Sequence, residues 1–246
     1  RRDLELTRAN ENLRMLDQMK TDFVSVVTHQ LRTTLSAIRW TISMLLNGDF
    51  GRLTDEQRTF LMKAYESNNR MVTLIRDMVF VDHLESGKLA SSPHMATSLP
   101  DLLDNLLLEL YPLAEDKKVK IVFQRPSQSY PPARIDSANM RAVLQNLIEN
   151  ALKYTPAGGS VTIAFGNESS GALSFSVADT GIGIPEAEQS RVFTRFYRAS
   201  NAQKKEADGS GLGLFIAKRI LQKYQGDIRF ESTEDLGTTF RVTLPV

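Results

Sequence analysis

The stretch VVTHQLRTTLSAI, residues 26–38, decides how the first third of this chain folds. Asp22, Ser25, His29, Arg32, Ser36 and Arg39 recur at three- and four-residue steps, while Phe23, Val27, Leu31, Ile38, Ile42 and Leu45 cover the other side. That period belongs to an amphipathic α-helix rather than to a strand. His29 therefore falls on the wet face, where an imidazole is open to chemistry.

Outward from this helix, residues 1 to about 85 are helical in pattern, with one break at NGDFGRLTDEQ, residues 47–57. Thr54 followed by Asp55, Glu56 and Gln57 predicts a capped start for a second helix with acidic residues in its first turn. That helix carries Leu61, Ala64, Val72, Ile75 and Val79 at helical spacing, so the two form an antiparallel hairpin. Two such helices alone bury too little to be stable, and pairing with a second copy into a four-helix bundle is the economical solution. Leu6, Leu13, Leu16 and Phe23, near seven-residue spacing, read either as a short coiled coil entering the hairpin or as a polar frayed helix.

The 246 residues are 41% hydrophobic, enough for two ordinary domains with buried cores. Thirty basic against 29 acidic residues leave a net charge of +1, which gives no reason to expect nucleic acid as a partner. The lack of cysteine excludes disulfides, thiol catalysis and thiolate metal sites, and His29, His83 and His94 are too scattered for a metal cluster. His83 reads as a helix-end residue and His94 as part of a linker around LESGKLASSPHM. No apolar run approaches the roughly 20 residues needed to cross a bilayer. The opening RRDLELT, without methionine, reads as an excised fragment that leaves room for a sensor or membrane segment upstream.

Beyond the linker the pattern is mixed. Helices are predicted near 99–117, 137–153 and 211–225, and strands at VKIVF, SVTIAF, LSFSVAD, DIRFES and TTFRVTLPV. Leu173, Phe175 and Val177, and later Phe240, Val242 and Leu244, alternate as half-buried strands do, which predicts an α+β sheet covered by helices on one face.

Four stretches of this second domain carry chemistry. In NLIENALKYTP, Asn146, Asn150, Lys153 and Tyr154 lie along one helix anchored by Val143, Leu147 and Ile148. Amide oxygens suit a hard cation, an ammonium suits phosphate and an aromatic ring suits a base, although a polar outer face would look alike in this helix alone. In DTGIGIP, Asp179 at a strand end offers an acceptor for an exocyclic amine, and Gly181 and Gly183 leave the backbone unobstructed. In GSGLGLFIAKRI, Gly209, Gly211 and Gly213 precede a helix whose first N–H groups suit a phosphate cradle, although an ordinary flexible loop would look alike on its own. Between these, FTRFYRA and SNAQKKEADGSG read as a lid with aromatic anchors Phe193 and Phe196 and with Arg195 and Arg198 facing an anion.

Together THQLRT, NLIENALKYT, DTGIGIP, FTRFYRA and GSGLGL resemble, in order, the H, N, G1, F and G2 boxes of the two-component sensor histidine kinases, over nearly the whole chain. The resemblance implies an all-α hairpin that dimerises into a four-helix bundle, followed by an α+β sandwich of the Bergerat ATP-binding type. The implied divisions are a signal-transmitting coiled-coil helix at 1–21, a dimerisation and phosphotransfer domain at 22–90 and a catalytic ATP-binding domain at 91–246. It implies ATP as substrate, Mg²⁺ at Asn150 with Asn146 nearby, Lys153 on phosphate, Tyr154 by the adenine or ribose and Asp179 on the adenine amine. Gly181, Gly183 and Ile184 would shape the base pocket, and Gly209, Gly211, Leu212, Gly213 and Leu214 would flank the phosphates. Phe193, Arg195, Arg198 and Thr239 complete the implied nucleotide contacts.

The resemblance makes His29 the phospho-acceptor, with a response-regulator receiver domain as the protein that takes the phosphoryl group from it. It implies a cytoplasmic location, with any membrane anchor outside these residues. Typical members carry an acid directly after the histidine and a proline five residues after it, where this chain has Gln30 and Thr34. Glutamine accepts the ring N–H but takes up no proton, so Gln30 predicts a competent but slower kinase. Thr33, one turn after His29, carries the hydroxyl that the resemblance implies in orienting water for regulator dephosphorylation. Thr34 keeps the backbone N–H that proline would remove and predicts a straighter helix. A phosphatase-biased or pseudokinase module of the same fold stays open as the alternative.

Overall fold

The computed structural model describes residues 2–86, 97–126, 132–167, 172–206 and 209–245. The chain divides into two compact units, Arg1–Leu89 and Ala90–Val246. No helix among the described residues is long and apolar enough to cross a membrane.

The first unit is a hairpin of α1 (Arg2–Asn47) and α2 (Asp55–Glu85). The helix runs through residue 21 without a break, so the expected entry segment and the histidine helix are one element. It stays helical past Thr34, whose Oγ1 donates to Gln30 O at 3.0 Å. The side chains of Leu6, Leu13, Leu16, Asp22, Phe23 and Ser25 lie outside the described set, and with them the coiled-coil expectation and the first members of the polar stripe. His94 likewise lies outside the described residues.

The helix ends at Gly48, whose left-handed φ of 85° lets the Asp49 N–H reach back to Met44 O at 3.1 Å. With no basic residue in α1's own last turn, Arg58 Nη2 crosses from α2 to Leu46 O at 3.1 Å and supplies the cation that those carbonyls favour. The expected cap at Thr54 is present as a reciprocal capping box. Gln57 N–H donates to Thr54 Oγ1 at 3.2 Å, and Gln57 Oε1 accepts the Thr54 N–H at 3.0 Å.

The apolar side of α1 is not one face. Among the described side chains of α1, Thr28, Leu35 and Ile42, seven residues apart, are buried in the hairpin, whereas Val27, Leu31 and Ile38 are exposed in the single chain. Along α2, Asn68 is buried and Leu61, Tyr65, Val72, Ile75 and Val79 are half-buried, while Met71, Leu74 and Met78 are exposed. The apolar belt of each helix is wider than one neighbour covers, because a heptad seam takes only a narrow stripe. Ala64, expected inside, is exposed for the same reason.

The second unit contains α3 (Leu99–Asp116), β1 (Lys120–Gln124), α4 (Ser137–Tyr154), β2 (Ser160–Asn167) and β3 (Leu173–Asp179). A 3-10 turn at Glu186–Arg191, α5 (Ser200–Lys205), α6 (Gly213–Lys223), β4 (Asp227–Thr233) and β5 (Gly237–Leu244) follow. The strands form one mixed sheet in the order β1-β2-β3-β5-β4, with β1 parallel to β2 and the other pairs antiparallel. Val161, Ile163, Phe175, Val177, Val242 and Phe240 fill its inner face against Leu103, Leu106, Met140, Leu144, Leu147, Ile148, Ile216 and Ile220 of the helices. The opposite face is polar, with Thr162, Ser174, Ser176, Arg241, Glu231 and Arg229 in register. The expected α+β layer, covered on one side, is therefore what the chain forms. The 3-10 turn and α5 are elements that periodicity did not announce, since segments of six residues are too short to show a period.

Candidate functional site

α4 starts on Asp136, whose carboxylate accepts the Asn139 N–H at 3.0 Å. Its buried residues, Val143, Leu144, Leu147, Ile148, Ala151 and Leu152, fix its rotation, leaving Asn146, Asn150, Lys153 and Tyr154 half-buried on its flank. Asn146 Nδ2 donates to Ala142 O at 2.8 Å, and its Oδ1 faces the start of α6. That oxygen lies 2.6 Å from where a β-carbon on Gly213 would be, so the first turn of α6 sits against the amide and only glycine allows it.

Two cations meet beside this turn. A β-carbon on Gly209 would lie 3.2 Å from Lys153 Nζ and 3.3 Å from Arg198 Nε. Among the described residues no side chain caps the N-terminus of α6, so its N–H groups open onto the loop that Gly209 begins. Uncapped helix N–H groups beside an ammonium and a guanidinium form an anion site.

The base-sized end of the site is built around Asp179, the last residue of β3. Its Oδ1 accepts both the Gly181 N–H at 2.8 Å and the Thr238 N–H at 3.2 Å, so Oδ2 carries neither bond. Burial pushes the Asp179 carboxyl up to about 6, against the pull of those two N–H groups. The Ile182 N–H donates to Tyr154 O at 3.2 Å, tying the end of α4 to this turn. Gly183, at a φ of 62°, passes so close to Thr233 that a β-carbon would overlap its carbonyl oxygen. Asn146, Lys153, Tyr154, Asp179, Gly181, Arg198, Gly209 and Gly213 thus join in one connected set. Asn150, one turn beyond Asn146 on α4, and Leu214, in the first turn of α6, are half-buried beside it.

Five of the expected residues make contacts of their own within the fold. Thr239 pairs with Ala178 on the open face of the sheet, and the residue on the inner face beside Asp179 is Thr238, one position earlier. The strand period would have found it, since Asp179 and Thr238 are register partners. Phe193 packs edge-on to Phe230 at 5.8 Å with Lys218 over its ring, so it anchors the F segment to β4. Arg195 lies over the Phe215 ring at 4.9 Å, a surface it shares with Arg219. The Leu212 side chain is fully buried in the core. Ile184 is held on the β4 side by its N–H to Ser232 Oγ at 2.8 Å. Gly211, at a φ of 66°, packs on the backbone of Phe196 and Tyr197, and Phe196 itself is exposed in the left-handed region at 59°.

In the first unit His29 is exposed, as its place on the polar stripe predicts, and Gln30, Arg32, Thr33 and Arg39 are exposed with it. Thr33 Oγ1 donates to His29 O at 3.0 Å. His83 is exposed in the last turn of α2, where a histidine faces the helix carbonyls.

Comparison with known proteins agrees with this division. Residues 19–87 match the His Kinase A (phospho-acceptor) domain, and residues 135–246 match the family described as histidine kinase-, DNA gyrase B- and HSP90-like ATPase. The chain is 34% identical over 231 residues to the sensor histidine kinase WalK of Bacillus subtilis, covering 94% of this chain and 37% of that protein. It is 33% identical over 227 residues to the circadian input-output histidine kinase CikA of Synechococcus elongatus, covering 92% of this chain and 30% of that protein. It thus spans about a third of the length of these curated relatives. Among solved structures, full-length ShkA in complex with AMPPNP is similar over 91% of this chain and 45% of that one, at 26% identity and a TM-score of 0.71. With a phospho-acceptor domain over the hairpin and the ATPase domain over the glycine loop, the chain belongs to the sensor histidine kinases of two-component systems.

Proposed function

We propose that this chain transfers the γ-phosphoryl group of ATP to His29, and that the phosphohistidine passes it to an aspartate on a response-regulator receiver domain. The observation that carries the reading is the convergence of Lys153, Arg198 and the uncapped start of α6 on one loop, with Asp179 and Tyr154 joined at the base-sized end. The proposed roles are Asp179 Oδ2 accepting from the adenine amine, Tyr154 beside the base or ribose, and Lys153, Arg198 and the Gly209–Gly213 backbone holding phosphate oxygens. Leu214 and Asn146 line the same loop.

An imidazole nitrogen of His29 forms the new P–N bond with its lone pair while the bond from phosphorus to the ADP oxygen breaks, and the other ring nitrogen gives up its proton. Positioning and charge neutralisation are the protein's work, because the transition state of phosphoryl transfer is loose. Thr33 is proposed to orient the water that hydrolyses the regulator's acyl phosphate.

The amide oxygens of Asn150 and Asn146 fit Mg²⁺, a hard cation that takes oxygen ligands, and the Asn146 Oδ1 faces the start of α6, where the phosphates are proposed to sit. When bound, that ion neutralises phosphate charge. Among the described residues no group of three His, Cys, Asp or Glu could hold a metal, so its other ligands would be phosphate and water. The exposed Val27, Leu31 and Ile38 of α1 and Met71, Leu74 and Met78 of α2 support a homodimer that closes a four-helix bundle. The proposed division is a transmitting helix at 1–21, dimerisation and phosphotransfer at 22–90 and ATP binding at 91–246. The reading assigns the chain to the cytoplasm, and sensing to a module other than these residues.

Incubation with radiolabelled ATP and Mg²⁺ tests the proposal through the appearance of acid-labile, base-stable phosphate on the chain; its absence in a chain that binds ATP would sink it. Gln30→Glu is expected to autophosphorylate faster, by up to about 10²-fold, because a carboxylate beside His29 takes up the proton that glutamine refuses. Equal initial rates would mean that this neighbour bears no proton.

A further inference from the structure

The lid segment has a weak beginning. α5 is six residues long with Ala199 at its N-cap, and no side chain of its own segment caps it. A helix that short does not hold together by itself. Its missing acceptor comes from the 3-10 turn. Glu188 Oε2 accepts the Ser200 N–H at 2.9 Å and the Tyr197 O–H at 2.6 Å, while Oε1 accepts the Ser200 O–H at 2.5 Å. The Arg191 guanidinium lies 4.4 Å from the Tyr197 ring centroid and closes the group from the other side.

Tyr197 and Ser200 bracket Arg198, the cation at the glycine loop. Gln203 Nε2 donates to Arg198 O at 2.8 Å, and Arg198 Nη2 donates to Ala202 O at 3.3 Å and to Glu206 O. At the far side, Asn201 Nδ2 reaches Gly183 O at 2.9 Å and Ile182 O at 3.3 Å, on the turn that follows Asp179.

We propose that Glu188 is a positioning residue that pins the root of this lid, holding Tyr197 and Ser200 on one carboxylate so that Arg198 between them is presented to the nucleotide phosphates. The inference rests on the nucleotide reading of the site given above. Charge supports it: the Ser200 and Tyr197 hydroxyls, then the Ser200 N–H, hold the Glu188 carboxyl below its ordinary range, so at neutral pH it is the full anion these donors require. Glutamine keeps the shape but has one acceptor oxygen, and so cannot serve all three donors. Nothing in the arrangement requires Glu188 to touch the nucleotide.

The test compares the wild type with Glu188→Gln and Tyr197→Phe in the full chain. Amide hydrogen exchange over Ser200–Glu206 without nucleotide is expected to quicken about 10-fold in Glu188→Gln and by less in Tyr197→Phe. ATP affinity in Glu188→Gln is expected to fall about 10-fold while adenosine affinity stays within about 2-fold, because adenosine has no phosphate for Arg198 to meet. Unchanged exchange overturns the pin. So does quickened exchange with ATP affinity unchanged, and so does an equal loss for ATP and adenosine, which marks general damage. A wild-type chain that binds neither ligand would overturn the nucleotide reading, and with it the assignment of Arg198 to phosphate, while exchange still reports whether the carboxylate holds the segment.

Discussion

Replacing His29 by alanine is expected to abolish acid-labile phosphorylation while ATP affinity stays at its wild-type value. The two outcomes separate because the residue and the nucleotide cradle belong to different compact units. His29 is exposed on α1, and the hydrogen bond recorded at that position uses its backbone carbonyl, which alanine keeps. Truncating an exposed side chain on a helix changes stability by no more than about 0.5 kcal/mol, and alanine has the best helix propensity. Loss of the proposed phosphoryl acceptor, by contrast, leaves no nucleophile on that turn: Gln30 and Arg32 have no nucleophilic nitrogen at neutral pH. Labelling should therefore fall to background, a loss of about 10⁴-fold or more on the scale of removed catalytic nucleophiles. Matched melting curves and matched ATP titrations for both chains make the comparison clean. Persistent acid-labile label in His29→Ala would move the acceptor to His83 or His94.

What could be read in the residues divides along a physical line. Helices and strands longer than about two periods were legible, because burial on one face writes its own repeat; α4, α6 and β3 are cases. The glycines were legible as close-approach points, and the structure shows why at Gly213, where the neighbour is the Asn146 amide. The partition of the α1 apolar belt was not legible, because Leu35 and Leu31 are equally apolar and only the position of α2 decides which is covered. Thr238 and Thr239 differ only in the side of the strand they face, and a one-residue shift of register exchanges them. Arg195 and Arg198 are alike in chemistry. Arg198 ends at the glycine loop and Arg195 over Phe215, a choice made by aromatic packing across the F segment. The Glu188 group is illegible in the sequence for another reason: its partners stand nine and twelve residues away, a spacing that belongs to no regular element.

The asymmetry of hydrogen bonding at Asp179 leads to a second large effect. Asp179→Asn is expected to bind ATP about 100-fold more weakly and yet to make the nucleotide-free chain more stable. Both backbone donors, Gly181 N–H and Thr238 N–H, land on Oδ1. An asparagine must keep its carbonyl oxygen there to satisfy them, which leaves its NH₂ where Oδ2 was, facing the position proposed for the exocyclic amine of adenine. Two donors face each other, and unmet buried donors cost about 1–3 kcal/mol each, hence the expected loss. Stability moves the other way. Burial raises the carboxyl from 3.8 to about 6 in the folded chain. A raised carboxyl favours the fold only while it is protonated; that contribution is present below 3.8, is lost as pH rises through about 6, and leaves an ionised, unfavourable group at neutral pH. Removing the charge relieves a cost of about 3 kcal/mol at most, so the melting midpoint should rise by several degrees. The same logic gives a pH profile. Protonated Asp179 would present an O–H to the adenine amine, so wild-type ATP affinity should fall more steeply from about pH 7 to about pH 5.5 than that of the asparagine variant, in which only the terminal phosphate of ATP, shared by both, titrates over that range. Calorimetric titrations at both ends of that range decide the matter: a wild type whose affinity falls no more steeply than the variant's, or an asparagine variant that binds ATP as tightly as the wild type, would remove adenine from Asp179.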